Sequence, residues 1–106
     1  MDGNTEVRDE PERSRFELTV DGELAAIAQY VRRGGRVVFT HTEVDPRFEG
    51  RGLGSAIASQ ALDAVRTEGA LAVPLCPFIA GYIERHPDYD DIVDHELLAR
   101  FEADDD

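Results

Sequence analysis

The chain has 106 residues and a mass of 11.8 kDa, which allows one domain with a core of its own. Its 23 acidic and 11 basic residues leave a net charge of −12, and such a surface excludes nucleic acid and anionic membranes as partners. The 42% hydrophobic share excludes wholesale disorder, no apolar run is long enough to span a membrane, and a single cysteine excludes an intrachain disulfide.

All basic residues are arginine, and lysine is absent. The acidic surface could attract a cationic substrate such as a polyamine. We favour a salt-adapted proteome, such as a haloarchaeal one, because salt screens the self-repulsion of such a surface. The polar start of the chain does not resemble a signal peptide, and the lone cysteine fits a reducing compartment, so we expect a cytoplasmic protein.

The ends of the chain are predicted to lie outside the domain. Residues 1–14 are charged and contain almost nothing apolar, which predicts a disordered acidic arm. Residues 103–106 form an acidic tail, which leaves a single domain over residues 15–102. The domain begins with a strand over 15–20, where apolar and polar residues alternate, and Asp21-Gly22 predicts a hairpin turn.

The next segment, 23–32, has a helical composition, but the hairpin turn before it favours a strand. Gly34-Gly35 makes a second turn, and 36–44 reads as a central strand that is covered on both faces. Strict alternation along this strand predicts that His41 and Glu43 share the face of Val37 and Phe39. Thr42 and Val44 would then lie on the opposite face.

The second half of the chain alternates helix and strand. A helix is predicted over 55–68, a strand over 71–75, a helix over 77–85, a turn over 89–93 and a short helix over 96–102. The resulting order, β-β-β-α-β-α, indicates an α/β (α+β) sandwich.

A glycine-rich turn joins the central strand to the first helix. Gly50, Gly52 and Gly54 allow a ligand to approach the backbone closely, and free N–H groups at a helix N-terminus suit a pyrophosphate. Arg47 and Arg51 flank this turn and could add charged contacts. The spacing fits neither the Walker nor the Rossmann pattern, and a turn without a ligand remains the alternative.

Taken together, the motifs resemble those of the small single-domain branch of the GNAT N-acetyltransferase superfamily over residues 15–94. The resemblance is carried by Thr42-Glu43-Val44-x-Pro46, by Phe48-Glu49-Gly50-Arg51-Gly52-Leu53-Gly54-Ser55-Ala56, by Pro74-Leu75-Cys76-Pro77-Phe78, by Tyr82-Ile83 and by His86-Pro87. It implies a minimal GNAT-like fold, with three antiparallel strands followed by α-β-α around a splayed central sheet.

The resemblance also implies an acetyl-CoA-dependent N-acetyltransferase that acts on an amine, as a monomer or homodimer. The pyrophosphate of acetyl-CoA would be held by main-chain amides of the turn, and the pantetheine would run along the central strand as far as Val44. The turn residues concerned are Gly50, Arg51, Gly52, Leu53, Gly54 and Ser55. A non-catalytic CoA-binding or regulatory domain is the alternative.

Two departures from the family pattern bear on these expectations. Glu49 stands where the family usually has Gln or Arg, which places an acid near the expected phosphates. The chain is also too short for the early helices that wall the acceptor site in larger members. The acceptor pocket would then be open, shared with a partner, or absent.

Four side chains are candidates for catalysis. Cys76 follows the last strand and is either an acetyl-accepting nucleophile or a buried small hydrophobe. Tyr82 is either the acid that protonates the CoA thiolate or a core aromatic residue. His41 and Glu43, two residues apart on one strand, are candidate general bases.

The remaining histidines have structural interpretations. His86 is expected to end a helix and His95 to lie on the surface. The three histidines lack the clustered ligands of a metal site, so none is expected.

Overall fold

The computed structural model describes residues 4–103, so Met1–Gly3 of the expected arm and most of the expected tail lie outside the described residues. The strands are β1 (Thr5–Glu10), β2 (Arg15–Val20), β3 (Glu23–Arg33), β4 (Arg36–Val44) and β5 (Leu71–Pro74). The helices are α1 (Leu53–Thr67), α2 (Pro77–Arg85) and α3 (His95–Ala103). Within 4–103, no helix combines the length and apolarity needed to cross a bilayer.

The five strands form one open sheet in chain order, antiparallel from β1 to β4 and parallel between β4 and β5. The change of direction follows from the connections, because hairpins join the first four strands and α1 crosses from β4 to β5. The predicted mixed α/β architecture is confirmed. The segment with helical composition, 23–33, is a strand, because hairpin turns on both sides commit it to pair with β2 and β4.

One face of the sheet carries the main core, which α1 and α2 share. Ile57, Ala61 and Val65 of α1 are fully buried at helical spacing, and they pack on side chains such as Leu18 and Phe39 of the strands. We call this the helix face. The opposite face of the first three strands is polar or exposed, as in antiparallel sheets that are solvated on one side.

The expected disordered arm is wrong for residues 5–10, which form β1 at the edge of the sheet. The composition of residues 5–10 does not indicate a strand, because only Val7 packs against the core and the other side chains of β1 are polar or charged. Its position is supported by the ladder to β2 and by Asp9, which accepts hydrogen bonds from the Tyr30 hydroxyl at 2.5 Å and from Arg32 at 3.1 Å.

A β-bulge in β4 reverses its side-chain alternation. Tyr30 pairs with Phe39 and Gln29 pairs with His41, so Thr40 is an extra residue without a partner on β3. The predicted faces are therefore wrong beyond Phe39, since a one-residue shift moves every later side chain to the other face.

As a result, Thr42 and Val44 point toward the helix face. Val44 packs against the core, and Thr42 is opposite the fully buried Ala28. His41 and Glu43 lie on the opposite face, where their side chains are exposed.

α3 follows α2 and a short 3-10 helix over Pro87–Ile92, and it lies on the face opposite α1. Its N-terminus is tied down by Asp94, which accepts a hydrogen bond from the Leu97 amide at 3.0 Å and pairs with the Arg36 guanidinium at 2.5 Å. The Asp94 amide donates to the Ala72 carbonyl of β5. Asp94 thus joins the start of α3 to two neighbouring strands.

The Arg36 guanidinium and then the Leu97 amide hold the pKa of Asp94 below its ordinary value. This contribution to stability is complete above the unfolded-state pKa, roughly 4, and is lost as the pH falls through the lower folded-state pKa. We expect wild type to be more stable than Asp94→Asn at pH 7, with the difference shrinking below about pH 4. Urea unfolding of both proteins from pH 7 to pH 2 tests this, and a pH-independent difference would contradict it.

Candidate active site

The glycine turn presents backbone N–H groups to open space. Gly50 and Gly52 have φ of +84° and +71°, a left-handed conformation that favours glycine, and a Cβ at either position would meet nothing within 4 Å. Gly52 is the N-cap of α1 and supplies no side-chain cap. The first helical bond is donated by Ala56, at 3.1 Å from the Gly52 carbonyl, so the amides of residues 53–55 have no acceptor within the helix.

Gly54 is needed for a different reason, which is helix packing. A Cβ there would come within 2.7 Å of Cζ of Phe78, the second residue of α2. The Phe78 ring therefore lies against the first turn of α1 and holds the N-termini of α1 and α2 close together. The glycine pattern predicts ligand approach at all three positions, and the structure separates Gly54 from the other two.

Two arginines lie over the ring of Phe48, just before the turn. The guanidinium carbons of Arg47 and Arg51 are 5.4 and 5.5 Å from the ring centroid. Arg47 also pairs with Asp45, at 3.2 Å, and its guanidinium holds the pKa of that carboxyl below the ordinary value. The turn thus has two guanidinium groups against a buried aromatic ring, and the Arg47 group is paired with Asp45 and Glu23.

The central feature of the site is a gap between β4 and β5. Their parallel pairing runs from Arg36 and Leu71 to Phe39 and Pro74, and among the described residues no pair follows. The amides of Leu75 and Cys76 both donate to the Phe39 carbonyl, at 3.0 Å each, and this ends the ladder. Beyond this point, the edge of β4 from residue 40 to 44 has no neighbouring strand.

Cys76 lies at the closed end of this gap. It is 3% exposed and is the N-cap of α2. Its Sγ lies 3.2 Å from Oγ1 of Thr42, so this contact spans the two strands where they separate. Thr42 is not evident from the sequence, because strict alternation places it on the wrong face, and only the bulge at Thr40 aims it at the thiol.

Tyr82 is on α2, the helix that begins at Cys76, and is 7% exposed. Its ring stacks on His86 at a centroid distance of 4.2 Å and lies 6.1 Å from the ring of Tyr89. Within residues 4–103 its hydroxyl makes no hydrogen bond. The amide of His86 donates to the Tyr82 and Ile83 carbonyls, so His86 caps this helix as its position predicted.

His41 and Glu43 contact each other on the face opposite Cys76. The His41 Nε2 atom is 3.2 Å from the Glu43 Oε2 atom, and both side chains are more than half exposed. The four candidate catalytic residues therefore do not form one cluster. The structure brings together Cys76 with Thr42 on one face and His41 with Glu43 on the other, on either side of the gap.

Comparison with known proteins gives one family and consistent relatives. The family described as GCN5-related N-acetyl-transferase matches residues 15–92. The chain is 33% identical over 91 residues to Protein NATD1 of Xenopus tropicalis, covering 82% of this chain and 84% of the relative. Protein NATD1 of Mus musculus is 32% identical over 87 residues, covering 80% and 79%.

Solved structures agree with this fold. A GCN5-like putative N-acetyltransferase from Staphylococcus aureus superposes with a TM-score of 0.64 and 19% identity, over 83% of this chain and 86% of that one. The ribosomal-protein-S18-alanine N-acetyltransferase from Escherichia coli gives a TM-score of 0.51 at 28% identity. That match covers 54% of this chain and only 37% of the larger protein.

The contact between Gly54 and Phe78 predicts energetic coupling between the two positions. Gly54→Ala should lower the free energy of unfolding because the Phe78 ring must move. In a Phe78→Ala background the same change should be neutral or stabilising by up to about 1 kcal/mol, since alanine favours helix over glycine. A double-mutant cycle from urea unfolding measures this coupling, and additive effects within about 0.3 kcal/mol would contradict it.

Proposed function

The chain belongs to the GCN5-related N-acetyltransferase family, and from this premise we propose that it transfers the acetyl group of acetyl-CoA to an amine. The observation that carries the proposal is the loss of β4–β5 pairing after Phe39 and Pro74. It leaves a strand edge that leads from the glycine turn to the Cys76–Thr42 contact. The S18-alanine N-acetyltransferase, with 28% identity, supports an amine as acceptor.

The residues of the turn fit the pyrophosphate of acetyl-CoA. Space beside Gly50 and Gly52 is open, and the amides of residues 53–55 lack acceptors within α1. The positive end of the helix dipole and the flanking arginines favour an anion there. Main-chain binding also tolerates Glu49, because a backbone contact does not depend on the side chain at that position.

The unpaired edge of β4 fits the pantetheine arm. Its amide groups have no strand partner, and the arm can hydrogen-bond to them as an added strand would. Val44 lies at the end nearer the turn, and Thr40 at the closed end of the gap. A ligand that follows this edge brings its thioester to the Cys76–Thr42 contact.

Acetyl-CoA supplies the acetyl group as a reactive thioester. In the direct route that we propose, the amine nitrogen attacks the carbonyl carbon and the carbon–sulfur bond breaks. Glu43, directly or through water, takes the proton from the amine, and His41 at 3.2 Å orients its carboxylate. Tyr82 is the proposed donor of a proton to the departing thiolate, since its hydroxyl has no other partner among residues 4–103.

Cys76 offers a second route through a covalent intermediate. Its sulfur would attack the carbonyl, release CoA and then pass the acetyl group to the amine. The support for this route is the position of the sulfur at the closed end of the gap, within 3.2 Å of the Thr42 hydroxyl. The burial of Cys76 equally suits a packing role. A nucleophilic role predicts an acetyl adduct on Cys76, whereas a packing role predicts none.

We expect Gly52→Val to weaken acetyl-CoA binding at least tenfold, because a β-branched residue disfavours the left-handed φ that aims the amides. Gly22→Val is the matched control. Gly22 has a φ of +85° and open space around it, but it lies in the β2–β3 turn. Calorimetry on the wild type and both variants measures the affinity. Equal losses in the two variants, or no binding by wild type, would contradict the proposed site.

We also expect Cys76→Ala to abolish any acetyl adduct seen by intact-protein mass spectrometry and to lower turnover. Cys76→Ser replaces the thiol by a weaker nucleophile of similar size, and Thr42→Val removes the hydroxyl that contacts the sulfur. Together with Cys76→Ala, these variants separate nucleophilicity from packing. Wild-type turnover in Cys76→Ala would restrict Cys76 to packing and leave the direct route. Binding of acetyl-CoA without transfer to any amine would favour a non-catalytic CoA-binding domain.

A further inference from the structure

A hollow lies on the open face of the sheet, next to the closed end of the gap between β4 and β5. Six residues line it: Val31, Arg33, Val38, Thr40, Leu75 and Phe101. Thr40 and Leu75 are the first residues after the last β4–β5 pair, so this hollow touches both sides of the gap. We call it the Phe101 hollow.

The hollow is mainly apolar and unusually exposed for such a surface. Val31 is 49% exposed and Leu75 is 36% exposed, although both lie beside the buried Val38. Phe101 of α3 forms the wall on the side away from the sheet. The Phe101 hollow therefore offers a small apolar surface beside the closed end of the gap.

The volume of the hollow is about 140 Å³. An apolar cavity of about 150 Å³ is sufficient to bind benzene. The Phe101 hollow is open to solvent, and its volume matches the size of one aromatic ring or one branched alkyl group.

The charges at its two ends differ. His41 and Glu43 lie on the same face as the hollow. Along β3, the partner of His41 is two positions from Val31, a rise of roughly 7 Å, and the partner of Glu43 is four positions away, roughly 13 Å. The Glu43 carboxylate contacts His41 Nε2 at 3.2 Å. At the outer end lies Arg33, which forms no ion pair among residues 4–103, whereas its neighbour Arg32 pairs with Asp9 and Glu68. Arg100 of α3 also lies beside Arg33 and Phe101.

The amine of a ligand in this hollow is therefore attracted at the end near His41 and Glu43. A ligand with a second cationic group is repelled at the end near Arg33. A second hollow, beside Leu24 and Ile27, also contains Glu43 but touches no residue of β5 or α2. It lies at the open end of the gap, away from the Cys76–Thr42 contact at the closed end, so we do not assign the acceptor to it.

Building on the acetyl transfer proposed above, we propose that the acceptor is a primary monoamine whose ring or branched alkyl body occupies the Phe101 hollow. The amine then points along β4 toward His41 and Glu43, with Arg33 excluding diamines and polyamines. Phe101 and Arg33 are specificity residues in this proposal. The net charge of −12 taken alone would favour polyamines as acceptors instead, so the two hypotheses predict different preferred substrates.

The first experiment measures acetylated product by mass spectrometry with phenethylamine, 3-methylbutylamine, ethylamine, putrescine, spermidine and a lysine-containing basic peptide. We expect kcat/KM for the first two to exceed that for ethylamine by about tenfold or more, the factor that burial of such an apolar group provides. Putrescine and spermidine should be poorer than ethylamine. Preference for a polyamine or for the basic peptide would overturn the proposal.

The second experiment tests the residues. Phe101→Ala should raise KM for phenethylamine about tenfold with little change for ethylamine, and Phe101→Leu should restore part of the loss. Arg33→Glu should improve putrescine relative to phenethylamine. Arg8→Glu is its control, because it makes the same charge change on β1, away from the hollow. An equal effect of Arg8→Glu would attribute the selectivity to net charge and overturn the role of Arg33.

Acetyl-CoA affinity and thermal unfolding are measured on every variant. Loss of acetyl-CoA binding by wild type would refute the proposed function itself. Normal acetyl-CoA binding with no transfer to an apolar monoamine would refute only the acceptor assignment. If Phe101→Ala does not fold, Phe101→Leu and Arg33→Glu still decide the outcome.

Discussion

The arrangement of the site depends on one local departure from regular strand pairing, the extra residue at Thr40 in β4. The bulge lies directly after the last residue of β4 that pairs with β5, so the change of face and the loss of pairing occur at the same place. It turns Thr42 toward Cys76 and leaves His41 and Glu43 on the exposed face. The gap thus has a buried thiol–hydroxyl contact on one side and an imidazole–carboxylate pair on the other.

The two helices that flank the gap are held by packing at their N-termini. Phe78 lies against the position where Gly54 lacks a side chain, and Cys76 caps the helix that carries Phe78. The glycine turn and the closed end of the gap are therefore parts of one rigid arrangement. The proposed path of a ligand along β4, from the turn to Cys76, needs this arrangement because both ends must be positioned together.

In the proposed function, the open face forms part of the acceptor site. The helices expected to wall this site in larger relatives have no counterpart among residues 4–103, and α3 instead places Phe101 over the sheet beside the gap. Asp94 connects α3 to Arg36 and Ala72, so the wall is anchored to the strands that end at the gap. In the proposed function, β4 thus supplies the groups that take the proton from the amine, and α3 supplies the wall that holds the apolar body of the acceptor.

Local patterns in the sequence determined much of the fold. Hairpin signals, the glycine turn and the periodicity of α1 and α2 placed most elements within two residues, and the motifs identified the family. Local patterns could not reveal β1, because pairing and the Asp9–Tyr30 contact compensate for its polar composition. Nor could they reveal the bulge at Thr40, since an unpaired residue depends on the register between two strands. The side chains that meet at the gap were decided by tertiary structure alone, because the register sets which face each residue of β4 presents.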